Sequence, residues 1–224
     1  QGFRVLRYDL LGRGFSDRPK ARYDISLFVR QLKELLDALD YKNINLVGLS
    51  MGGPITAAFI DAYPDEVAKH ILIDPCGAKP VSLSPLLEAV KIPILGEILI
   101  GLFGTGSMVK SAAADMFSPR LVEQFQERYR NQMKYRGFKR AILSTLRCDM
   151  LGSFIEVFER VGKLKKPALI FWGKQDTTVP FEHSVDILNA IPHAEFHAFD
   201  HCGHIPHYER ASEVNEILLE FLKR

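Results

Sequence analysis

Gly48, Leu49, Ser50, Met51 and Gly52 constrain this chain more than any other five residues. An apolar run, residues 44–49, leads into them, and a helix-like run with the small residues Ala57 and Ala58 leads out. A G-x-S-x-G sequence between strand and helix forces a sharp turn that lifts the serine hydroxyl clear of a sheet edge. Flanking glycines let strand and helix approach closely around that strained residue. The Met51 amide then lies at a helix N-terminus, where an N–H without an intrahelical partner can donate to an oxyanion. A glycine-rich turn with an incidental serine is the bland alternative. The agreement of strand, turn and helix favours Ser50 as a nucleophile.

The rest of the chain repeats this rhythm. Residues 3–8 read as a first strand, followed by a loop punctuated by Gly12 and Gly14 and ended by Pro19. Ile25, Phe28, Val29, Leu32, Leu35, Leu36 and Leu39 recur at helical spacing, with Asp24 or Ser26 as cap. Residues 68–73, 168–172 and 194–199 are further strands, and residues 212–222 form a terminal amphipathic helix. Strands alternating with helices give an α/β fold, a mostly parallel sheet with helices on both faces. Residues 78–161 break the pattern with helix-like pieces only, including 119–134 and 139–147, which indicates an inserted helical lid. The expected organisation is a core of residues 1–77 and 162–224 with a lid of residues 78–161.

A serine hydroxyl is a weak nucleophile without a base. Of the seven histidines, His204 lies on a loop after the last strand, at the edge where open parallel sheets gather ligand-handling groups. His201 and His207 are its runners-up; His70, His183, His193 and His197 fall in or beside regular elements. An acid is expected after another strand, and Asp176 follows residues 168–172 in that way. Asp74, after residues 68–73, is the alternative. Val179 and Ile205, beside acid and base, are candidate pocket residues on position alone.

Composition narrows the function further. Lys and Arg total 29 against 27 acidic residues, a net charge of +2, which argues against a nucleic-acid partner. Cys76, Cys148 and Cys202 are odd in number and widely spaced, so neither a zinc site nor a disulfide framework is expected, and a reducing, cytoplasmic setting is the simpler reading. The apolar tract 92–103 is interrupted by Pro93, Gly96, Glu97 and Gly101, too short for stable membrane insertion. Apolar residues of the lid (Leu95, Ile98, Leu99, Leu102, Phe103, Met108, Met116 and Phe117) mostly pack it onto the core, with some available to line an acyl pocket. The basic stretch 128–140 reads as a solvated helical face.

With these segments placed, the chain resembles the α/β-hydrolase superfamily, in particular its lidded esterase/lipase and C–C bond hydrolase group. The matching stretches are residues 8–17, 46–53, 173–176 and 202–204. The resemblance implies that Ser50 attacks a carbonyl, His204 takes its proton and Asp176 steadies the imidazolium, with Met51 serving the oxyanion. It implies no metal and no organic cofactor. The expected substrate is a small-molecule ester with an apolar acyl or aromatic group. The alternatives are cleavage of a C–C bond in a vinylogous diketone, for which Arg136, Arg140 and Arg147 are available, and a catalytically impaired ligand-binding protein. The family order also places three strands ahead of residues 3–8, one of them between residues 3–8 and 44–49. Their absence suggests a missing natural N-terminus, self-association that fills the gap, or direct pairing of those two segments. Little activity is expected of the 224-residue chain alone.

Overall fold

A computed structural model describes residues 2–102, 104, 106, 108–110 and 117–224. Helix α1 (Ile25–Ala38) begins where the Asp24 side chain accepts the Leu27 amide at 3.0 Å, and it buries Leu27, Phe28, Leu32 and Leu36 along one stripe. Strand β1 (Ile44–Leu49) turns at Ser50 into α2 (Gly52–Ala62), and β2 (Val67–Ile73) follows. After an insertion come β3 (Ala168–Gly173) and β4 (Glu195–Phe199).

The four strands are parallel and stand in chain order, β1-β2-β3-β4. Their register matters for function. Leu49 pairs with Ile73, Ile73 with Phe171, and Gly173 with Phe199, so every strand ends at the same edge. The loops that leave that edge carry Ser50, Asp74, Asp176 and His204.

Alternation along the strands separates two apolar layers. Leu46, Leu72, Ile170 and Trp172 share one cluster with Leu32 and Leu36 of α1 and with Phe59 and Ile60 of α2. Ile71, Ile73, Leu169 and Phe171 face the other way, onto Val214 and Phe221 of the terminal helix (Ala211–Lys223).

Within the insertion, α3 (Pro85–Val90), α4 (Leu95–Leu102), α5 (Pro119–Gln132) and α6 (Phe138–Arg147) are helical. Arg147 ties them together: it pairs with Glu97 at 2.6 Å and donates to the Lys91 and Ile92 carbonyls at 3.0 and 3.1 Å. The next helix, α7 (Ile155–Lys163), sends Phe158 and Val161 into the main sheet cluster. Residues 155–161, grouped with the lid by sequence, therefore belong to the layer that covers the sheet.

The expected strand at residues 3–8 is not one. The segment makes no ladder with any of the four strands, and Phe3, Val5 and Leu6 are exposed. Arg4 reaches the Tyr41 hydroxyl at 3.3 Å, and Tyr8 packs on the main cluster, but among the described residues β1 pairs only with β2. A strand exists through its neighbour's hydrogen bonds, and β-prone side chains cannot replace them. Direct pairing of residues 3–8 with β1 is excluded in this structure.

His70 shows how the buried sheet handles a polar group. It is buried in β2, its Nε2 lies 3.0 Å from the Thr56 hydroxyl, and that hydroxyl donates to the Gly53 carbonyl at 2.9 Å. Burial pushes its pKa from 6.5 down to about 3, so the ring is neutral in the fold. A depressed folded value means stability is complete above pH 6.5 and is lost as pH falls toward 3. Over that window this group alone removes about 1.4 kcal/mol per pH unit. In His70→Gln, urea unfolding at about pH 4.5 and pH 7 is expected to lack this component, and an unchanged acid sensitivity would refute it.

The glycines of the turn are unequal. A Cβ on Gly48 would sit 2.5 Å from the Gly52 carbonyl oxygen and 2.6 Å from the Thr56 hydroxyl, and one on Gly53 would sit 2.5 Å from Pro75. One on Gly52 meets nothing within 4 Å. Gly48→Ala should therefore cost about 3 kcal/mol or more through overpacking. Gly52→Ala should stay within about 1 kcal/mol of the parent or exceed it, because alanine favours a helix. Urea midpoints of the two variants test the contrast.

Candidate active site

Ser50 sits at the turn with φ of 51°, a left-handed backbone that a non-glycine residue adopts only when its surroundings impose it. The surroundings here are specific. The Ser50 amide donates to the Ile73 carbonyl at 2.9 Å, and its own carbonyl accepts from Gly53 at 2.8 Å and Cys76 at 3.2 Å. The turn is thus fastened to the end of β2 and to the first turn of α2. Met51 is the N-cap residue of α2, and the first turn of that helix holds no acidic side chain to compete for its N–H groups. An oxyanion beside Ser50 would meet the Met51 amide and the positive end of the helix.

Asp176 follows β3 in a tight loop. One carboxylate oxygen, Oδ1, accepts the amides of Thr178 and Val179 at 2.8 and 2.9 Å. The other, Oδ2, lies 2.7 Å from His204 Nδ1. Both side chains are buried, 0% and 5% exposed. A carboxylate at Nδ1 holds that nitrogen protonated and leaves Nε2 free to accept a proton. The His204 loop is itself braced: Gln175 and Cys202 exchange two hydrogen bonds, at 2.9 and 3.0 Å, and Glu209 accepts the Gly203 amide at 3.0 Å. Through its other oxygen Glu209 accepts the Phe117 amide at 2.7 Å, linking this loop to the insertion.

The runner-up histidines are placed otherwise. His201 is exposed, its ring 5.8 Å from that of Phe117, and His207 lies beside His204 with its pKa lowered by burial and then by that neighbour. Asp74 does not reach His204 as a hydrogen-bond partner; its Oδ1 accepts the Gly173 amide at 2.8 Å. Asp74, Asp176 and His204 are also the grouping among the described residues with metal-ligand geometry, their nearest ligand atoms within 4.8 Å of one another. The facing Asp176 and His204 atoms are already joined by their hydrogen bond.

A cavity of about 450 Å³ opens over Ser50 and His204. Leu49, Phe125, Tyr129, Ile205 and Tyr208 give it apolar walls; Arg128, Gln132 and His207 supply polar groups. Ile205 is where the sequence places it. Val179 is not: its side chain is buried in the main core, because its amide serves Asp176 and its carbonyl accepts Trp172 Nε1 at 3.2 Å. The insertion's contribution comes from α5, through Phe125, Arg128 and Tyr129. Leu95, Ile98, Leu102 and Phe117 are exposed, Leu99 and Met108 pack on a small cluster within the insertion, and Phe103 and Met116 lie outside the described residues.

Arg128 is the residue that sequence reasoning missed. The sequence assigns it to a solvated basic face, and it is exposed, while Arg136, Arg140 and Arg147 are the candidate anion binders. Arg147 is spent on Glu97, and Arg140 donates to the Arg18 carbonyl at 2.5 Å. Arg128 lines the cavity and makes no ion pair among the described residues. The available signal was its spacing: Arg128 lies three residues after Phe125 and shares its helix face.

The chain is 31% identical over 230 residues to a 2-hydroxy-6-oxononadienedioate/2-hydroxy-6-oxononatrienedioate hydrolase of Paraburkholderia phymatum, covering 99% of this chain and 77% of that protein. It is 31% identical over 229 residues to a 2-hydroxy-6-oxo-6-phenylhexa-2,4-dienoate hydrolase of Burkholderia cepacia, with the same coverages of 99% and 77%. The solved enol-lactonase from Burkholderia xenovorans LB400 superposes with a TM-score of 0.82 at 23% identity, covering 99% of this chain and 82% of that one, a likeness of fold. The profile of the alpha/beta hydrolase family matches residues 1–217, and the chain belongs to that family.

Proposed function

We propose that the protein hydrolyses a C–C bond in a vinylogous diketone that carries a carboxylate, with Ser50 as nucleophile, His204 as base and Asp176 as its orienting acid. The observation that carries this reading is Arg128. A cation with no ion-pair partner among the described residues, at the wall of a largely apolar cavity, suits a substrate with an unsaturated carbon body and an anionic end. The two relatives at 31% identity are named for substrates of that description, 2-hydroxy-6-oxo dienoates. The simple ester expected from sequence becomes the second reading, since an apolar ester has no use for Arg128.

The chemistry follows from the placed groups. His204 Nε2 takes the Ser50 proton as Oγ adds to the 6-oxo carbon, and the Met51 amide holds the resulting oxyanion. The substrate reacts as its 2-keto tautomer, in which the 2-hydroxyl proton has moved to C5 and the double bond to C3–C4, and collapse breaks its C5–C6 bond. The electron pair leaves as a dienolate delocalised onto the 2-oxygen, which accepts the proton from His204. Water, activated by the same histidine, then releases the acyl group from Ser50 and restores the hydroxyl. A carbon leaving group is tolerable because its charge is spread over the conjugated system beside the carboxylate.

The test compares 2-hydroxy-6-oxo-6-phenylhexa-2,4-dienoate with a p-nitrophenyl ester in steady state. The dienoate is expected to be turned over with the higher kcat/KM, and turnover of the ester alone would overturn the proposal. Ser50→Ala should lower kcat by about 10⁴–10⁶ and abolish labelling by a fluorophosphonate. Arg128→Met should raise KM for the dienoate about 10–100-fold, the loss of one charge-assisted contact, and leave the ester unaffected. Equal effects on both substrates would remove Arg128 from carboxylate recognition.

A further inference from the structure

Asp74 is a fully buried acid that the chemistry above does not use. It leaves the end of β2 with φ of 40°, and the ladder sets it beside the end of β3. Its Oδ1 accepts the Gly173 amide at 2.8 Å. Its Oδ2 is buried and receives no donor among the described residues. An Asp74 oxygen, an Asp176 oxygen and a His204 ring nitrogen all lie within 4.8 Å of one another.

Two carboxylates this close and this buried cannot both be charged; the pair holds a proton. Hydrogen bonding decides which member carries it. Asp176 accepts two amides on Oδ1 and faces His204 Nδ1 with Oδ2, all favouring its ionised form. Asp74 accepts one amide, and its remaining buried oxygen has no donor among the described residues, which favours a proton on that carboxyl.

We propose that Asp74 is a positioning residue, protonated at neutral pH, whose carboxyl donates a hydrogen bond to the Asp176 carboxylate and so fixes and moderates the acid that orients His204. Burial first, and the Asp176 charge second, hold the Asp74 carboxyl well above the usual carboxylate range. The other ionisable groups facing the pair are Glu209, His183 and the Cys202 thiol, with His207 beside His204. Cys202, with a pKa near 12, stays neutral, as does Cys76 two residues from Asp74. A donor on Asp176 draws charge from the oxygen that faces the imidazole, so the aspartate stabilises the imidazolium less than a bare carboxylate would.

The kinetic arm of the test rests on the reading of Ser50, His204 and Asp176 given above; the spectroscopic arm does not. Infrared spectra of the full chain at neutral pH should show the carbonyl stretch of a protonated carboxylic acid, shifted in D₂O and missing from Asp74→Asn. Absence of that band in the parent overturns the proposal. The pH dependence of fluorophosphonate labelling adds a sign. Asp74→Asn keeps a neutral donor, so its acid limb should coincide with the parent's; Asp74→Leu loses the donor, and its limb should rise by about 0.5–1 pH unit. An ionised Asp74 would instead give a limb moved to lower pH in both variants, and that result overturns the proposal. Should Asp74→Leu fail to fold, the band and the Asp74→Asn limb decide. Should the parent not label at all, the fault lies with the Ser50 assignment, and the band still decides for Asp74.

Discussion

The hydrogen bonds that hold Ser50 in a left-handed conformation organise the rest of this molecule. A non-glycine residue at φ of 51° is strained by about 1–3 kcal/mol, and nothing local to Ser50 repays that. The repayment comes from β2, whose last carbonyl takes the Ser50 amide and whose following loop returns the Cys76 amide to the Ser50 carbonyl. It also comes from close packing: Gly48 admits the start of α2, and Gly53 admits Pro75. The turn is therefore a property of two strands and a helix together. The same ladder that fastens Ser50 brings Asp74 and Asp176 to one edge, because Leu49, Ile73 and Phe171 are successive partners in register.

That edge gathers several ionisable groups in a space from which water is largely excluded, and each is handled differently. Asp176 is surrounded by donors; Asp74 has one; His70, four residues earlier within β2, is kept neutral beside a hydroxyl. Cys76 and Cys202 remain thiols. The hydrogen-bond donors at this edge converge on Asp176, whose second oxygen faces His204. Glu209 extends this order outward, joining the His204 loop to the insertion through its two carboxylate oxygens.

The insertion contributes through one helix, α5, that presents Phe125, Arg128 and Tyr129 to the cavity. Two other cations of the insertion serve structure: Arg147 binds α6 to α3 and α4, and Arg140 reaches back to Arg18. The family relationship accounts for the sheet and its loops, and the proposed choice between a charged dienoate and a neutral ester turns on Arg128.

Much was legible in the sequence because it was local. The cap at Asp24, the apolar spacing of α1, the four paired strands and the turn at Ser50 all follow from side chains within a few residues of one another. His204 and Asp176 were legible from their position after strands, and the fold joins them at 2.7 Å. What the sequence does not show depends on distant partners. Residues 3–8 have the composition of a strand and no ladder to join. Val179 stands beside the acid in sequence, yet its backbone bonds turn its side chain into the core. The sequence by itself determined which segments become helix or strand and which side chains can do chemistry, since propensity and periodicity are short-range. Tertiary structure alone decided that Arg128 rather than Arg140 or Arg147 lines the cavity and that Asp74 lies near Asp176, because helix orientation and strand register are set by packing between segments far apart in the chain.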